Sequence, residues 1–283
     1  MRPRRCVYTG AVQSLVRGEI HPTALISKDA HIGAGVTIGA FTIVNPNVVI
    51  GDRSVIGPHC LLGEVHSSFY SSTEYDSAQL GIGEELRLGE ELRIGGDSLI
   101  RSHSVLYAGS TIGHHFSTGH RVTVRESVTI GSNTRLGTRS ELLGNATIGD
   151  YVSIHSNVFI ASRARIEDFA WLFPGVVLTD DPHPPSERLA GVTICEFAAV
   201  AAAAVLLPGV TIGRHALVGA ASLVRSDVAD EAVVVGNPAR QVGTVREIRD
   251  RATGEPVYPW PEHFSRGMPW AGTTFAAWCA RQP

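Results

Sequence analysis

The sequence lacks several features that define common functional classes. Its 283 residues include four cysteines, Cys6, Cys60, Cys195 and Cys279, and no Cys-x-x-Cys pair, so the spacing indicates neither a disulfide framework nor a zinc knuckle. No apolar run approaches the ~20 residues of a membrane span, and no apolar stretch follows the N-terminal arginines as it would in a signal peptide. We therefore expect a cytoplasmic protein with no membrane partner.

The sequence also has no large excess of charge of either sign. The formal net charge is −3, and Lys28 is the only lysine, so arginine supplies nearly all of the positive charge. A chain without a strong positive excess is not expected to bind the phosphate backbone of nucleic acids. The sequence also has no glycine-rich phosphate loop, which argues against a fused nucleotidyltransferase domain.

The dominant feature of the sequence is a six-residue repeat. An aliphatic side chain recurs every six residues in three blocks, 20–62, 88–178 and 194–224, with Thr118 as the one polar member. This period fits neither an amphipathic helix nor an alternating strand. The 30 repeat positions predict about ten coils of three short strands each. A glycine often follows the aliphatic residue, as Gly39 and Gly95 do, and we expect these glycines to take the left-handed backbone conformation at corners.

This pattern, over about residues 20–240, resembles the hexapeptide-repeat acyltransferase family, and most closely its nucleotide-amino-sugar N-acyltransferases. The resemblance implies an all-β fold, a left-handed parallel β-helix spanning residues 1–243, with two extruded loops at about 63–87 and 179–193. Residues 244–283 form a C-terminal extension that we expect to pack on the β-helix or on a neighbouring subunit. Because the family usually works as a trimer, the resemblance also implies a homotrimer.

The repeat is defective around Thr118, where three histidines cluster. The Ser-Thr-Gly-His stretch at 117–120 and the Val-Arg-Glu stretch at 124–126 look like the Thr-Gly-His…Arg-Glu segment of sugar N-acyltransferases. Acyl transfer to an amine requires a base, and a histidine with a pKa near neutrality suits that task. The resemblance therefore implies that His120 is the catalytic base. The alternative is that His120 is an ordinary polar corner residue.

Four further residues are candidates for binding the acceptor. His155 and Asn157 lie two predicted coils beyond Thr118 on the same side of the helix. Asp181 and His183 belong to the Thr-Asp-Asp-Pro-His-Pro-Pro segment at 179–185, which resembles the Thr-(Asn/Asp)-Asp-x-x-Pro loop of the family, with aspartate at 180 where asparagine is commoner. Extruded loops on a rigid scaffold often carry function. The alternative for His155 and Asn157 is an ordinary solvated corner residue.

The last repeats resemble the acyl-CoA-binding end of the family. Small residues near 219–222 would let pantetheine approach the backbone, and the Gly-Asn-Pro-Ala-Arg turn at 236–240 would close the prism or meet a CoA phosphate. The alternative is a cap that only covers the open end of the helix. The resemblance implies acetyl-CoA or another acyl-CoA as co-substrate, held by Gly219, Ala220, Ser222, Asn237, Pro238 and Arg240.

These observations predict an acyl-CoA-dependent N-acyltransferase, of the acetyltransferase type, acting on an amine of a small molecule such as a nucleotide-linked amino sugar. No metal is expected. Three alternatives stay open: an enzyme that uses an acyl carrier protein as donor, a metalloenzyme like the γ-class carbonic anhydrases, and a non-catalytic β-helix scaffold. The metalloenzyme alternative rests on the His-x₄-His spacing of His115 and His120.

Overall fold

The computed structural model describes residues 18–67 and 90–282, and short parallel strands dominate it. Up to β28 the chain passes through three sheets in turn, so that consecutive strands lie in different sheets and each strand up to β25 pairs with the strand three positions later. The sheets contain ten, nine and eleven strands, which gives about ten coils. This arrangement confirms the predicted all-β, left-handed parallel β-helix.

The strands of each sheet stack in chain order. Sheet 1 contains β1 (Leu25–Ile26), β4 (Ile43–Val44), β7 (Leu61–Glu64), β10 (Val105–Tyr107), β13 (Thr123–Val124), β16 (Glu141–Leu142), β19 (Phe159–Ile160), β22 (Val177–Leu178), β25 (Val205–Leu206) and β28 (Leu223–Val224). Sheet 2 contains β2 (His31–Ile32), β5 (Val48–Ile50), β8 (Leu92–Ile94), β11 (Thr111–Ile112), β14 (Thr129–Ile130), β17 (Thr147–Ile148), β20 (Arg165–Ile166), β23 (Thr193–Ile194) and β26 (Thr211–Ile212).

Sheet 3 carries most of the residues discussed below. It contains β3 (Thr37–Ile38), β6 (Val55–Ile56), β9 (Leu99–Ile100), β12 (Ser117–Thr118), β15 (Arg135–Leu136), β18 (Ser153–Ile154), β21 (Trp171–Leu172), β24 (Ala199–Val200), β27 (Leu217–Val218), β29 (Ala232–Val235) and β30 (Arg240–Thr244). The last strand, β30, runs antiparallel to β29 and ends the sheet.

The core lies inside the prism, where the second residue of nearly every strand is a buried aliphatic, such as Ile100, Leu136 and Leu172. The residue two positions before it is small or β-branched and is also buried, as Ala170 and Val152 are. Each coil thus adds one aliphatic side chain per side to a continuous column, which supplies most of the hydrophobic stabilisation, while the second inward position holds either a small apolar residue or a buried hydroxyl such as that of Ser140.

The corners are not formed as the glycine pattern predicts. Gly39 and Gly95 lie close to the next coil, where an added Cβ would stand 2.5 Å from Pro58 N and 2.6 Å from His114 N, respectively. The left-handed conformation instead occurs two residues later, at positions such as Phe41 (φ 57°). The prediction of left-handed backbone at these glycines is therefore wrong, because close backbone approach between coils, rather than φ, favours glycine there.

We name the three corners by the sheets they join. Corner 1–2 follows sheet 1, corner 2–3 follows sheet 2 and corner 3–1 follows sheet 3. Both extruded segments leave from corner 1–2: the chain leaves sheet 1 after Glu64 and re-enters sheet 2 at Leu92, and it leaves again after Leu178 and returns at Thr193. Most of the first predicted loop, from residue 68 to 87, lies outside the described residues.

The C-terminal extension packs on corner 2–3 of its own β-helix. It contains two 3₁₀ turns, Val245–Glu247 and Trp260–Glu262, and the short helix α1 (Phe275–Cys279). Met268 and Trp270 are buried against the stacked rings of Phe169 and Phe197. The indole N–H of Trp260 donates a hydrogen bond to the Phe197 carbonyl (2.8 Å), which ties the extension to the corner.

No helix within residues 18–67 and 90–282 is long and apolar enough to cross a membrane.

Candidate functional site

His120 lies on corner 3–1, directly after β12, and is exposed. Its Nδ1 is 2.7 Å from the Ser102 hydroxyl one coil earlier, and its backbone N–H donates to the Thr138 hydroxyl (3.2 Å) one coil later. If Nδ1–H donates to Ser102, then Nε2 is the unprotonated nitrogen and can accept a proton. The ring is thus held from one side in an orientation that leaves a potential base on the surface.

The defect at Thr118 has a structural explanation. The Thr118 side chain points into the core and is 4% exposed, and its hydroxyl accepts the backbone N–H of Arg101 at 2.8 Å. Two positions earlier, Phe116 is fully buried where small residues usually stand. A larger ring beside a smaller polar side chain keeps the core filled, so the defective repeat packs within the prism while His120 remains outside it.

The two histidines of the His-x₄-His spacing are separated by the fold. His115 is on corner 2–3 and His120 is on corner 3–1, at opposite ends of the strand Ser117–Thr118. The neighbouring His114 accepts a hydrogen bond through Nδ1 from the backbone N–H of Gly96, one coil earlier (3.1 Å). The Asp150 carboxylate accepts the backbone N–H of Ser132 in the same way, so this is a structural contact between coils. Among the described residues, no group of three His, Cys, Asp or Glu side chains is placed to hold a metal ion.

A groove of about 480 Å³ runs over the outer face of sheet 3, and one end of it reaches corner 3–1. Gly119, the residue before His120, lines that end, and Phe264 and Arg266 of the C-terminal extension also line the groove. Its floor consists of the outward side chains of neighbouring strands, namely Ser117, Arg135, Ser153 and Trp171.

Arg135 dominates the electrostatics of this groove. Its Nε donates to the Ser153 hydroxyl (2.8 Å), and its guanidinium carbon lies 5.1 Å from the centre of the Trp171 ring, in cation–π geometry. Partial burial lowers the pKa of Arg135, and the nearby charge of Arg266 lowers it further. Neither guanidinium forms an ion pair with any carboxylate of residues 18–67 and 90–282.

His155 lines the same groove, whereas Asn157 does not. The His155 ring stacks on Phe173 (centroids 4.9 Å apart), and its Nε2 is buried without a hydrogen-bond partner. Burial lowers the pKa of His155, and the charge of Arg135 lowers it further, so the ring is neutral near pH 7. Asn157 stands on corner 3–1 in the left-handed conformation (φ 57°) and is exposed.

The groove continues into an aromatic slot of about 260 Å³. Trp171 and Phe264 belong to both parts, and Phe173, Tyr258 and Trp260 line the slot alone. Burial raises the pKa of Tyr258, so its phenol is neutral at physiological pH. One end of the groove is therefore cationic, and the other is apolar and ring-lined.

The loop candidates lie on a different corner. The Asp181 carboxylate accepts the backbone N–H groups of His183 (2.9 Å) and Ser186 (2.7 Å) and the Ser186 hydroxyl (2.6 Å). The Ser186 hydroxyl is the main cause of the lowered pKa of Asp181. Asp180 accepts the N–H of Ser162 (3.0 Å). The two aspartates thus shape the loop, while His183 is exposed on it.

The residues assigned to acyl-CoA lie at the C-terminal end of the prism. The Ser222 hydroxyl is buried and accepts the backbone N–H of Gly236 (3.1 Å), which folds the turn at 236–238 over the last coil. An added Cβ at Gly219 would stand 2.6 Å from the Val235 side chain. The remaining candidates are exposed on this cap, namely Ala220, Asn237, Pro238 and Arg240. These residues thus form a cap over the last coil, and its outer surface is exposed to solvent.

A single chain does not bring all the predicted residues together. His120, Asn157 and Ala220 share corner 3–1, His155 lies in the groove on sheet 3, and His183 leaves from corner 1–2. The sequence reading missed the partners that complete the groove, namely Arg135, Trp171, Phe264 and Arg266. The spacing of the sequence could have indicated two of them. Arg135 and Trp171 each lie 18 residues, which is one coil, from Ser153, so all three take the same outward position on neighbouring strands of sheet 3.

Comparison with known proteins agrees with the repeat. Residues 29–64 and 127–162 match the family model described as bacterial transferase hexapeptide (six repeats). The chain is 35% identical over 99 residues to a serine acetyltransferase of Bacillus pumilus, which covers 34% of this chain and 45% of that protein. It is 29% identical over 103 residues to a chloramphenicol acetyltransferase of Morganella morganii, which covers 34% and 49%. The chain thus spans about half the length of these relatives.

A solved structure shares the fold over a longer stretch. The Arabidopsis UDP-N-acetylglucosamine acyltransferase superposes with a TM-score of 0.56 at 19% identity, covering 80% of this chain and 74% of that chain. At this identity the likeness supports the fold alone. The six-residue repeat, the three-sided coil and the match of residues 29–64 and 127–162 to the hexapeptide model agree with one another.

Proposed function

We propose that this protein is an acyl-CoA-dependent N-acyltransferase that transfers an acetyl group to the amine of a small molecule, with a nucleotide-linked amino sugar as acceptor. The observation that carries the proposal is the exposed His120, which Ser102 holds through Nδ1 and which directly follows Gly119, a residue at one end of a groove large enough for a small molecule. The relatives that are named acetyltransferases support the donor class.

The proposed reaction is direct transfer. The amine nitrogen attacks the thioester carbonyl carbon while Nε2 of His120 takes its proton, and backbone N–H groups of the corner stabilise the oxyanion. The tetrahedral intermediate then expels the thiolate as the carbon–sulfur bond breaks, and the imidazolium returns the proton to sulfur. The products are the amide and free coenzyme A.

Corner 3–1 offers a path for the donor. From His120 to Ala220 it climbs five coils, which is about 24 Å at ~4.8 Å per coil, and the corner positions between are Thr138, Ser156, Pro174 and Ala202. From Pro174 onward these side chains are small. A pantetheine arm lying along this edge would bring the thioester to His120 while the cap at 236–240 holds the other end of coenzyme A.

A homotrimer would complete the site. His183 and Asn157 stand on different corners of one chain, so a second copy must place its corner 1–2 against corner 3–1 of the first for both to meet one substrate. A closed cyclic assembly repeats such a contact at every interface.

Release of free thiol by the purified protein tests the proposal. Acetyl-CoA and an acylated acyl carrier protein are offered as donors across a panel of amino-sugar nucleotides, and the same sample is analysed for metals. Thiol release from acetyl-CoA that depends on the acceptor supports the proposal. Release from the carrier protein alone reassigns the donor. No release with any amine, together with stoichiometric zinc or iron, refutes acyl transfer in favour of a metalloenzyme.

A further inference from the structure

The groove on sheet 3 has an uncompensated positive charge. Arg135 and Arg266 approach it from two sides, one from a strand and one from the C-terminal extension, and the charge of Arg266 contributes to the lowered pKa of Arg135. Since neither guanidinium has a carboxylate partner among residues 18–67 and 90–282, the pair favours a ligand group with two negative charges. A single carboxylate would neutralise only one of them.

The part of the groove beyond the arginines has the shape and chemistry for a planar ring. Trp171 and Phe264 stand edge to face with centroids 5.5 Å apart, and Trp171 and Trp260 are related in the same way at 5.7 Å. Together with Phe173 they line a slot that is almost entirely apolar. A heteroaromatic ring entering this slot would gain stacking and edge contacts with rings that are already positioned.

Unpaired polar atoms also cluster here. Among the described residues, three buried side-chain nitrogens have no hydrogen-bond partner, and two of them, His155 Nε2 and Trp171 Nε1, border this groove. Buried polar groups are normally paired, because an unpaired one loses its hydrogen bonds to water without gaining any in the protein. Two such atoms beside one groove indicate that a bound molecule or ordered water satisfies them.

We propose that this groove binds a nucleoside diphosphate group, with the phosphates between Arg135 and Arg266 and the base in the adjoining aromatic slot, against Trp171. The placement of this group beside His120 rests on the proposed function. Both substrates of the proposed reaction contain such a group, namely the nucleotide-sugar acceptor and the coenzyme A of the donor. The C-terminal extension is then part of the binding site, because it supplies Phe264 and Arg266.

Equilibrium binding tests the groove without requiring activity. The full chain is titrated calorimetrically with UDP, ADP and uridine, and the comparison is made among wild type, Arg266→Gln, Arg135→Gln and Arg251→Gln. Arg251 is the matched control, since it is an exposed arginine of the same extension that does not line the groove. We expect Arg266→Gln to weaken binding of a nucleoside diphosphate about 10- to 100-fold and to leave uridine binding within about twofold.

The titrations with UDP and with ADP distinguish the two substrates that could supply the nucleoside diphosphate group. In Arg266→Gln, weakened binding of UDP assigns the groove to the acceptor, and weakened binding of ADP assigns it to the donor. Equal diphosphate affinities for Arg266→Gln and Arg251→Gln overturn the proposal, as does a change of oligomeric state in Arg266→Gln, which would make the groove a subunit interface. If Arg135→Gln does not fold, the comparison of Arg266→Gln with Arg251→Gln still tests the proposal. Nucleotide binding without thiol release would refute only the acyltransferase function.

Discussion

Two corners of the prism carry ring stacks of the same geometry and differ in what covers them. On corner 3–1, Phe41 stacks on His59 (5.1 Å) and is 58% exposed. On corner 2–3, Phe169 stacks on Phe197 (4.9 Å) and is 5% exposed, because the C-terminal extension packs over it. We call them the open corner and the covered corner.

The coil geometry makes both stacks possible. Equivalent corner residues lie one strand spacing apart, which is close to the distance between stacked rings. Phe41 and Phe169 also share the left-handed conformation (φ 57° and 61°), which costs a non-glycine residue about 1 kcal/mol or more. What the extension adds at the covered corner is burial. The comparison therefore predicts that substitutions at the open corner alter surface chemistry and those at the covered corner alter stability.

The largest expected effect is on activity at the open corner. His120→Ala should lower turnover in the thiol-release assay by ~10²–10⁴, because the amine then lacks its base, while acyl-CoA binding and the thermal midpoint change little. His59→Ala, an exposed histidine of the same corner, is the matched control. Unchanged turnover in His120→Ala would show that His120 is not the catalytic base.

A matched pair of phenylalanine substitutions compares the stability of the two corners. Phe169→Ala should lower the free energy of unfolding by about 3–5 kcal/mol, since it removes a buried ring. Phe41→Ala should change it by less than about 1 kcal/mol. Both sites keep the same left-handed backbone, so that cost largely cancels. Denaturant unfolding measures both, and similar losses at the two positions would contradict the role of burial.

The sequence predicted the fold well because the repeat is strictly local. Each aliphatic such as Leu136 or Ile154 specifies its own strand and its place in the column, and the period alone leads to three-sided coils. The glycine argument failed because it considered one chain segment at a time. The contact that favours glycine at Gly39 comes from Pro58 in the next coil, and a single-coil view omits that neighbour.

The site was less predictable for a related reason. His120 was found through a motif, but its Ser102 partner lies 18 residues away and becomes visible only once the coils are stacked. Arg266 lies 131 residues from Arg135, and no periodic pattern in the C-terminal extension indicates which strand it will face. Long-range packing of a non-repetitive segment on a repetitive one carries little signal in a single sequence.

A smaller effect tests how the extension is attached to the covered corner. Trp260→Phe should lower the free energy of unfolding by about 1 kcal/mol, because the Phe197 carbonyl loses the indole N–H at 2.8 Å. Trp171→Phe is the matched control, since the Trp171 indole N–H has no partner in the structure. Denaturant midpoints give both values. An equal loss in Trp171→Phe would mean that ring size, rather than the hydrogen bond, sets the effect.

The smallest effect concerns pH at the covered corner. His215 stacks on Phe197 (4.9 Å), its Nδ1 is buried without a partner, and burial, followed by the charge of Arg214, lowers its pKa. The unfolded chain therefore binds a proton at His215 at a higher pH than the folded chain does. Stability is fully present above the ordinary histidine pKa of ~6.5 and declines as the pH falls below it toward the folded value.

His215→Phe should remove this part of the pH dependence while keeping the stack on Phe197. Free energies of unfolding measured between pH 7.5 and 5 should decline less steeply in the variant than in wild type. Some decline should persist, because the pKa of His155 is lowered in the same direction. If both proteins lose stability with the same slope, His215 is protonated equally in the folded and unfolded chains, and the extension does not shield the covered corner from water at that position.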